Sequence, residues 1–310
     1  MSDQQRFTPE DVETWKRDGV ALLRGFFTAE ECAAVRADFE IVFGDPTTRA
    51  GAAAAQAAER GKFNLAQFKN FDGVPFDCSP ALNLIGVHPA LIAFAKAALG
   101  AEAVQLYQCQ AWAKYTGETD YDQPFHADFS NHTLTVPSED PQKNAVTIFC
   151  YFTDVTDAHG ATHYVTRTDS RTIAGPEATL NRTPEPWTKL QAELMAHARS
   201  AASPAGTAIA YTTDVFHRGT NLTAPGGYRY AVMACFKKAG DESIGYTAWQ
   251  YHHTKPWARI FDHATPEQLA CFGVQLPGDP FWTETTIART QMRYPGWNAA
   301  PYRAALEPLA

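Results

Sequence analysis

No segment of the 310-residue sequence approaches the ~18 uninterrupted apolar residues of a membrane span. The longest candidate, Ala90 to Gly100, is interrupted by Lys96. The opening MSDQQRFTPE lacks the basic, apolar and small-residue order of a secretory signal. A cytoplasmic protein with no membrane partner is therefore expected. Basic excess is missing too: 26 Lys and Arg stand against 34 Asp and Glu, a net charge of -8, with no run of five or six like charges. A nucleic-acid binder needs a basic footprint to offset phosphate, so nucleic acid is a poor partner for this chain. No two of Cys32, Cys78, Cys109, Cys150, Cys235 and Cys271 fall in a C-x-x-C spacing. A thiolate zinc site thus lacks its ligand pairs, and buried free thiols in a reducing compartment are expected. Glycine-rich phosphate loops and a G-x-S-x-G elbow are also absent, which removes the basic parts of nucleotide-driven and serine-hydrolase chemistry.

What is present is an ordinary globular composition, 45% hydrophobic and 12% aromatic, arranged in three textures. Thr8-Pro9-Glu10-Asp11 and Thr28-Ala29-Glu30-Glu31 are helix starts, with the short apolar Val20 to Leu23 between them fit for a strand. The Ala-rich stretch Ala50 to Ala58 has helix propensity but no distinctive face. From Val104 strands take over: Val104 to Tyr115, Val146 to Thr153, Thr207 to Tyr211 and Tyr228 to Lys237, framed by Gly, Pro, Asn and Asp. Strict alternation in the first puts Leu106, Gln108, Gln110, Trp112 and Lys114 on one face and Tyr107, Cys109, Ala111, Ala113 and Tyr115 on the other. The polar face suits either solvent or the interior of a barrel. A helix-like insert, Trp187 to Met195, interrupts the strands, and helices return at Thr265-Pro266-Glu267-Gln268 and Thr283 to Met292. Many short strands decorated by helices point to a mainly β barrel or sandwich.

The chemistry concentrates in Pro124-Phe125-His126-Ala127-Asp128 and Asp214-Val215-Phe216-His217-Arg218-Gly219. In an extended segment His126 and Asp128 project to one side, where an imidazole nitrogen and a carboxylate oxygen reach a single cation. His217 from a remote strand completes a 2-His-1-carboxylate triad, which leaves three positions of an octahedral iron free. Twelve residues on, beyond turn chemistry in Asn221 to Gly227, lies Arg229. Its guanidinium can bind a carboxylate through two parallel hydrogen bonds. His159 and His163 are four apart, but Gly160 between them argues against a shared helical face. The adjacent His252 and His253 would point oppositely on a strand, and His132 is read as a surface residue.

The H-x-D, the distal histidine followed by Arg229, and the segment Thr153-Asp154-Val155-Thr156-Asp157-Ala158-His159-Gly160-Ala161-Thr162 resemble the phytanoyl-CoA dioxygenase family of Fe(II)/2-oxoglutarate-dependent oxygenases. The resemblance runs from about Val20 to Lys237 and implies a double-stranded β-helix, a jelly-roll, cupin-like barrel with flanking N- and C-terminal helices. It implies one oxygenase domain over residues 1–310: helical support to about 100, barrel over 101–240, and a C-terminal cover or lid over 241–310. It further implies His126, Asp128 and His217 as iron ligands, Arg229 as the 2-oxoglutarate anchor, and Gln110 as a second cosubstrate contact. Trp112, Lys114 and Phe129 are substrate candidates by their nearness in sequence and strand phase. Related halogenases carry a small residue where Asp128 stands, so hydroxylation of a small organic molecule, using O2 and releasing succinate and CO2, is the implied reaction. Where many relatives have proline, glycine, serine and histidine after the glycine segment, this chain has Thr166-Arg167-Thr168-Asp169. Two other readings stand beside this one: a catalytically idle barrel that binds or senses, and a cupin-like metalloenzyme that uses no 2-oxoglutarate.

Overall fold

The computed structural model describes residues 6–47, 74–116, 122–133, 138, 144–174, 184–245 and 255–306. The Ala50 to Ala58 stretch and the His252-His253 pair lie outside these. Helix α1 (Pro9–Asp18), strand β1 (Val20–Leu23) and helix α2 (Ala29–Phe43) open the chain, and both helices begin on reciprocal capping boxes, Thr8 with Asp11 and Thr28 with Glu31. Next come α3 (Pro80–Ile85) and α4 (Pro89–Leu99). By composition Pro80 to Leu99 is apolar enough for a membrane span, with mean hydropathy 1.5. It folds instead as two short helices separated at 86–88, and two-thirds of it is buried inside the protein.

The strands are β2 (Val104–Tyr115), β3 (Val146–Tyr151), β4 (His163–Tyr164), β5 (Arg199–Ser200), β6 (Ala208–Thr212), β7 (His217–Arg218) and β8 (Tyr228–Lys238). Short helix α5 (Phe129–His132) follows the H-x-D, while α6 (Arg167–Ala174) and α7 (Pro184–Ala196) form the insert between β4 and β5. The strands make two antiparallel sheets, β1-β6-β3-β8-β2 and β5-β4-β7. Two facing antiparallel sheets with crossed connections are the double-stranded β-helix.

Period-2 alternation divides the large sheet between two cores. Its outer face (Ala111, Ala113, Ile148, Ala208, Ala210, Val232, Ala234, Phe236) packs under the helices, and its small side chains let α2 and α4 approach. The inner face (Phe149, Tyr151, Ile209, Tyr211, Ala231, Met233, Cys235) faces the small sheet. Along β2 strict alternation fails at one point. The register slips between Leu106 and Gln108, so Leu106 joins the outer core with Cys109, whereas Tyr107 joins the inner one. A β-bulge carries one unpaired residue and reverses the phase beyond it, so Tyr107 and Gln108 both serve the interior. From Gln108 onward the expected phase holds, and the polar face turns inward.

Helices α8 (Ala258–Phe261), α9 (Pro266–Cys271), α10 (Glu284–Arg293) and α11 (Ala300–Ala304) close the chain. Trp257, Trp282, Trp297 and Tyr302 are buried in the outer core, on the sheet face away from the inner one. The described C-terminal residues are thus a packed cover over the helical layer. All six cysteines are free and buried.

Glu31 links the N-terminal elements: its carboxylate takes two bonds from Arg6 at 2.5 and 2.9 Å, caps Thr28 N–H at 2.8 Å and meets His88 Nε2 at 3.1 Å. Partial burial raises the Glu31 pKa, but the bonds from Arg6, Thr28 and His88 outweigh it and bring the value to about 2. A depressed carboxyl pKa stabilises the fold above the ordinary carboxylate range and loses that contribution as pH falls toward the folded value. Glu31→Gln keeps the capping geometry and should cost about 1 kcal/mol at pH 7. Urea unfolding should show that difference shrinking at pH 3, and an equal difference at both pH values would show that the charge contributes nothing.

Candidate metal centre

Two histidines far apart in sequence are joined by backbone. His126 N–H donates to His217 O at 3.0 Å and His217 N–H donates to His126 O at 2.9 Å, an isolated antiparallel bridge that extends the small sheet by one segment. The two rings lie 4.5 Å apart. Asp128 follows on the same side as His126, at the start of α5, where Phe129 N–H is fixed by Thr213 O at 3.0 Å. Its Oδ1 is 3.7 Å from His126 Nε2 and its Oδ2 is 3.4 Å from His217 Nε2. One ligand atom from each of the three lies within 4.8 Å of the others, the only such cluster among the described residues.

The tautomers suit a metal. His126 Nδ1 meets Pro124 O and His217 Nδ1 meets Val215 O, both at 3.0 Å. A carbonyl only accepts, so each Nδ1 carries the proton and each Nε2 presents its lone pair toward Asp128. Two imidazole nitrogens and one carboxylate on one side of a cavity fit a first-row divalent ion.

That cavity, about 290 Å³, lies between the sheets. It is lined by the triad, by Gln108, Gln110 and Trp112 of β2, by Arg229 and Met233 of β8, and by Gln123, His132, Phe149, Thr162, Tyr211 and Gly219. A slightly larger cavity of about 350 Å³ opens among the C-terminal helices, but its aromatic walls offer no metal ligand. We place the chemistry in the smaller one.

Arg229 is 3% exposed and donates to Gly160 O, with its guanidinium 5.6 Å from the Phe149 ring and 5.9 Å from the Tyr151 ring. Gly160 is where the backbone requires glycine. Its φ is +72°, and a Cβ there would sit 2.6 Å from Thr220 O. Lys114 pairs with Arg229 in the register and is fully buried, its ammonium donating to Thr220 O at 2.8 Å. Burial first, and Arg229 second, push the Lys114 pKa well below the usual lysine range.

Of the substrate candidates, Trp112 lines the cavity, whereas Lys114 and Phe129 do not. Lys114 is fully buried with its ammonium on Thr220 O, and Phe129 is buried at the start of α5. His132 corrects the sequence reading. It is 5% exposed, lines the cavity and has its Nδ1 on the Tyr107 hydroxyl, with Nε2 4.0 Å from Asp128 Oδ2. Burial lowers its pKa, the nearby Asp128 carboxylate opposes that shift, and His217 adds to it. The four-residue step from Asp128 to His132, one helical turn, was the available signal. Tyr107 and Tyr211 were missed because they fall in the opposite phase of an unbroken strand or outside any motif. His159 and His163 staple a surface turn, through Thr156 Oγ1 at 2.8 Å and Asp157 Oδ1 at 3.0 Å respectively.

Residues 15–229 match the phytanoyl-CoA dioxygenase (PhyH) family, and the chain belongs to it. By class it is an Fe(II)/2-oxoglutarate-dependent oxygenase. Among solved structures it is similar to the non-heme alpha ketoglutarate dependent carbocyclase SnoK from nogalamycin biosynthesis, with 16% identity and a TM-score of 0.52 over 78% of this chain and 87% of that one. HygX from Streptomyces hygroscopicus, solved with nickel, 2-oxoglutarate and hygromycin B bound, gives 13% identity and a TM-score of 0.52 over 76% and 88%. The epimerase SnoN, in complex with Fe3+, alpha ketoglutarate and nogalamycin RO, gives 14% and 0.50 over 74% and 83%. These likenesses establish the double-stranded β-helix. No curated protein matches the sequence.

The unusual Thr166-Arg167-Thr168-Asp169 segment has a structural task. Arg167 grips Asp214 through two parallel bonds, Nε and Nη2 each at 3.0 Å, and reaches Thr212 Oγ1 at 2.9 Å and Lys16 O at 2.7 Å. Asp214 lies three residues before His217, so the fork fixes the turn that delivers that ligand. Burial raises the Asp214 pKa, but Arg167 and Thr212 outweigh it and hold the carboxyl below its usual range. The pairing thus stabilises the fold above about pH 4 and is lost as pH falls below that. Arg167→Ala leaves the half-buried Asp214 carboxylate with Thr212 as its remaining side-chain partner and should cost about 1–3 kcal/mol, read as a drop in Tm, with weaker metal binding by calorimetry. Arg167→Lys, whose single ammonium cannot form the fork, should recover only part of both.

Proposed function

We propose that His126, Asp128 and His217 hold the Fe(II) of this oxygenase, that Arg229 anchors the distal carboxylate of 2-oxoglutarate, and that the reaction is hydroxylation of a small organic molecule. The observation that carries this is one cavity bounded by a 2-His-1-carboxylate cluster and by a buried guanidinium. When bound, Fe(II) and 2-oxoglutarate supply the oxidising chemistry, in which O2 is consumed, 2-oxoglutarate is converted to succinate and CO2, and a substrate C–H bond is oxidised.

The chain's own residues bind, orient and exclude water. His126 and His217 are held by their Nδ1 bonds with Nε2 facing inward, so no ring rotation is needed to take the metal. Arg229, pinned by Gly160 and flanked by the Phe149 and Tyr151 rings, lines the cavity with its guanidinium, in a dry setting where a charge-assisted bond to a carboxylate is strong. Gln110, on the same wall, is the proposed second contact to the cosubstrate. Trp112 and Phe149 meet edge to face at 6.1 Å and give the cavity an apolar side. Asp128 supports hydroxylation over halogenation, because a carboxylate occupies the position a halide would need. The fold also carries epimerisation and carbocyclisation in SnoN and SnoK, so the likeness does not carry the hydroxylase reading, which is proposed here on Asp128.

Anaerobic addition of Fe(II) and 2-oxoglutarate should give a weak visible charge-transfer band, and no band at saturation would overturn the proposal. Asp128→Ala should abolish the band and succinate formation together. Loss of the charge-assisted bonds in Arg229→Ala costs about 1.5–3 kcal/mol, which corresponds to a rise of about 10- to 150-fold in the KM for 2-oxoglutarate. An unchanged KM would move the anchor elsewhere.

A further inference from the structure

The irregularity in strand β2 lies beside the metal centre. The register against β8 slips between Leu106 and Gln108, and Tyr107 turns to the inner core. Bulges are common next to active sites, where they re-aim a side chain. The re-aimed group here is a phenol, and its hydroxyl meets Nδ1 of His132. In an unbroken strand Tyr107 would face the helical layer, away from that ring.

His132 is fixed from several directions. Its ring meets the Tyr107 ring edge to face, at 5.4 Å and 84°. Its carbonyl accepts the Gly245 N–H at 2.8 Å. Its helix is a single turn that begins at Phe129, whose N–H is held by Thr213 O at 3.0 Å. The side chain is buried, and Nε2 stands 4.0 Å from Asp128 Oδ2. A small rotation of the carboxylate, or one bridging water, closes that gap to a hydrogen bond.

The proton positions follow from charge. A phenol can donate to an imidazole nitrogen or accept from it, and the choice at Nδ1 decides what Nε2 carries. With the proton on Nδ1, Nε2 would set a lone pair against the Asp128 carboxylate. With Tyr107 donating to Nδ1, Nε2 carries the proton and turns an N–H dipole to the anion, an attraction that burial strengthens. The second arrangement is the favourable one. It sets His132 apart from His126 and His217, whose Nδ1 bonds leave Nε2 bare and unable to donate to Asp128.

Resting on the assignment of His126, Asp128 and His217 as metal ligands, we infer that Tyr107 and His132 are positioning residues for Asp128. The phenol sets the tautomer of His132, and the Nε2–H of His132 steadies Oδ2, so that the carboxylate is oriented before an ion arrives. Partners of this kind hold metal ligands in place, and their loss weakens metal binding about 10- to 100-fold. The bulge thereby makes β2 part of the metal site, although the strand supplies none of the three ligands.

The test measures Ni(II) binding to the full chain by calorimetry, with no cosubstrate present, so turnover is not read. His132→Leu should raise the Kd about 10- to 100-fold. His132→Gln places an amide N–H where Nε2–H stood, with no tautomer to set, and should bind Ni(II) within about threefold of the unaltered protein. Tyr107→Phe keeps the ring and removes only the hydroxyl. It should weaken binding about 5- to 10-fold when His132 is present and have no effect beside His132→Gln. An equal effect in both backgrounds would assign the hydroxyl to packing alone and overturn the inference. Unchanged affinity in His132→Leu, or His132→Gln binding as weakly as His132→Leu, would overturn it as well. The Tm of each metal-free variant is recorded, and should His132→Leu not fold, the effect of Tyr107→Phe in the two backgrounds decides. Asp128→Ala is measured beside them. If it binds Ni(II) as the unaltered protein does, the ligand assignment fails. If it loses Ni(II) while the Tyr107 and His132 variants keep it, only the positioning role fails.

Discussion

The reciprocal backbone bonds between His126 and His217 are the constraint on which the site depends. They join a segment just after the large sheet's edge strand to one carried on the small sheet, and so fix the spacing of two imidazoles before any side-chain contact forms. Asp128 comes with His126 because it is two residues on. The remaining geometry is maintenance of that junction: carbonyls hold each Nδ1, and Arg167 holds the Asp214 turn that leads into His217. A departure from the commoner sequence pattern at residues 166–169 thus reads as a brace for a metal ligand and not as a substrate loop.

Electrostatics divide the cavity. Arg229 and Lys114 are both buried, and two like charges facing each other across a ladder are unfavourable unless something compensates. Carbonyls of Gly160 and Thr220 take part of that load, ring faces take another part, and the lowered Lys114 pKa reduces it further. The dicarboxylate proposed for this end would meet the rest. Further along β2 the cavity wall carries the amides of Gln108 and Gln110 with the His132 imidazole beside them. The overall charge of -8 bears on neither, because local pairing and not the chain total decides what a dry pocket binds.

The helical layer supports this arrangement from behind. Alanines on the outer face of β2 and β8 admit α4 closely, while α2 rests on β8 through Phe39 stacked on Tyr230 at 4.6 Å, and the inner face is left to hold the site. Among the C-terminal residues, Trp282, Trp297 and Tyr302 belong to that outer packing and meet one another in tilted and edge-on ring contacts.

By itself the sequence determined whatever depends on neighbours along the chain. Capping boxes set the starts of α1, α2, α9 and α10, alternation set most strand faces, and the H-x-D spacing set two groups on one side. Lone histidines and single polar residues were not legible in the same way, since burial depends on what arrives from elsewhere. His132 reads as a surface residue until Tyr107 covers it, and Tyr107 faces inward only because a bulge opposite β8 reverses the phase. Lys114 and Phe129 stand near the ligands in sequence, yet a bond to Thr220 withdraws one and the start of α5 buries the other. Whether the polar face of β2 met solvent or a second sheet was likewise open, because alternation defines two faces and only the tertiary structure decides which one is covered.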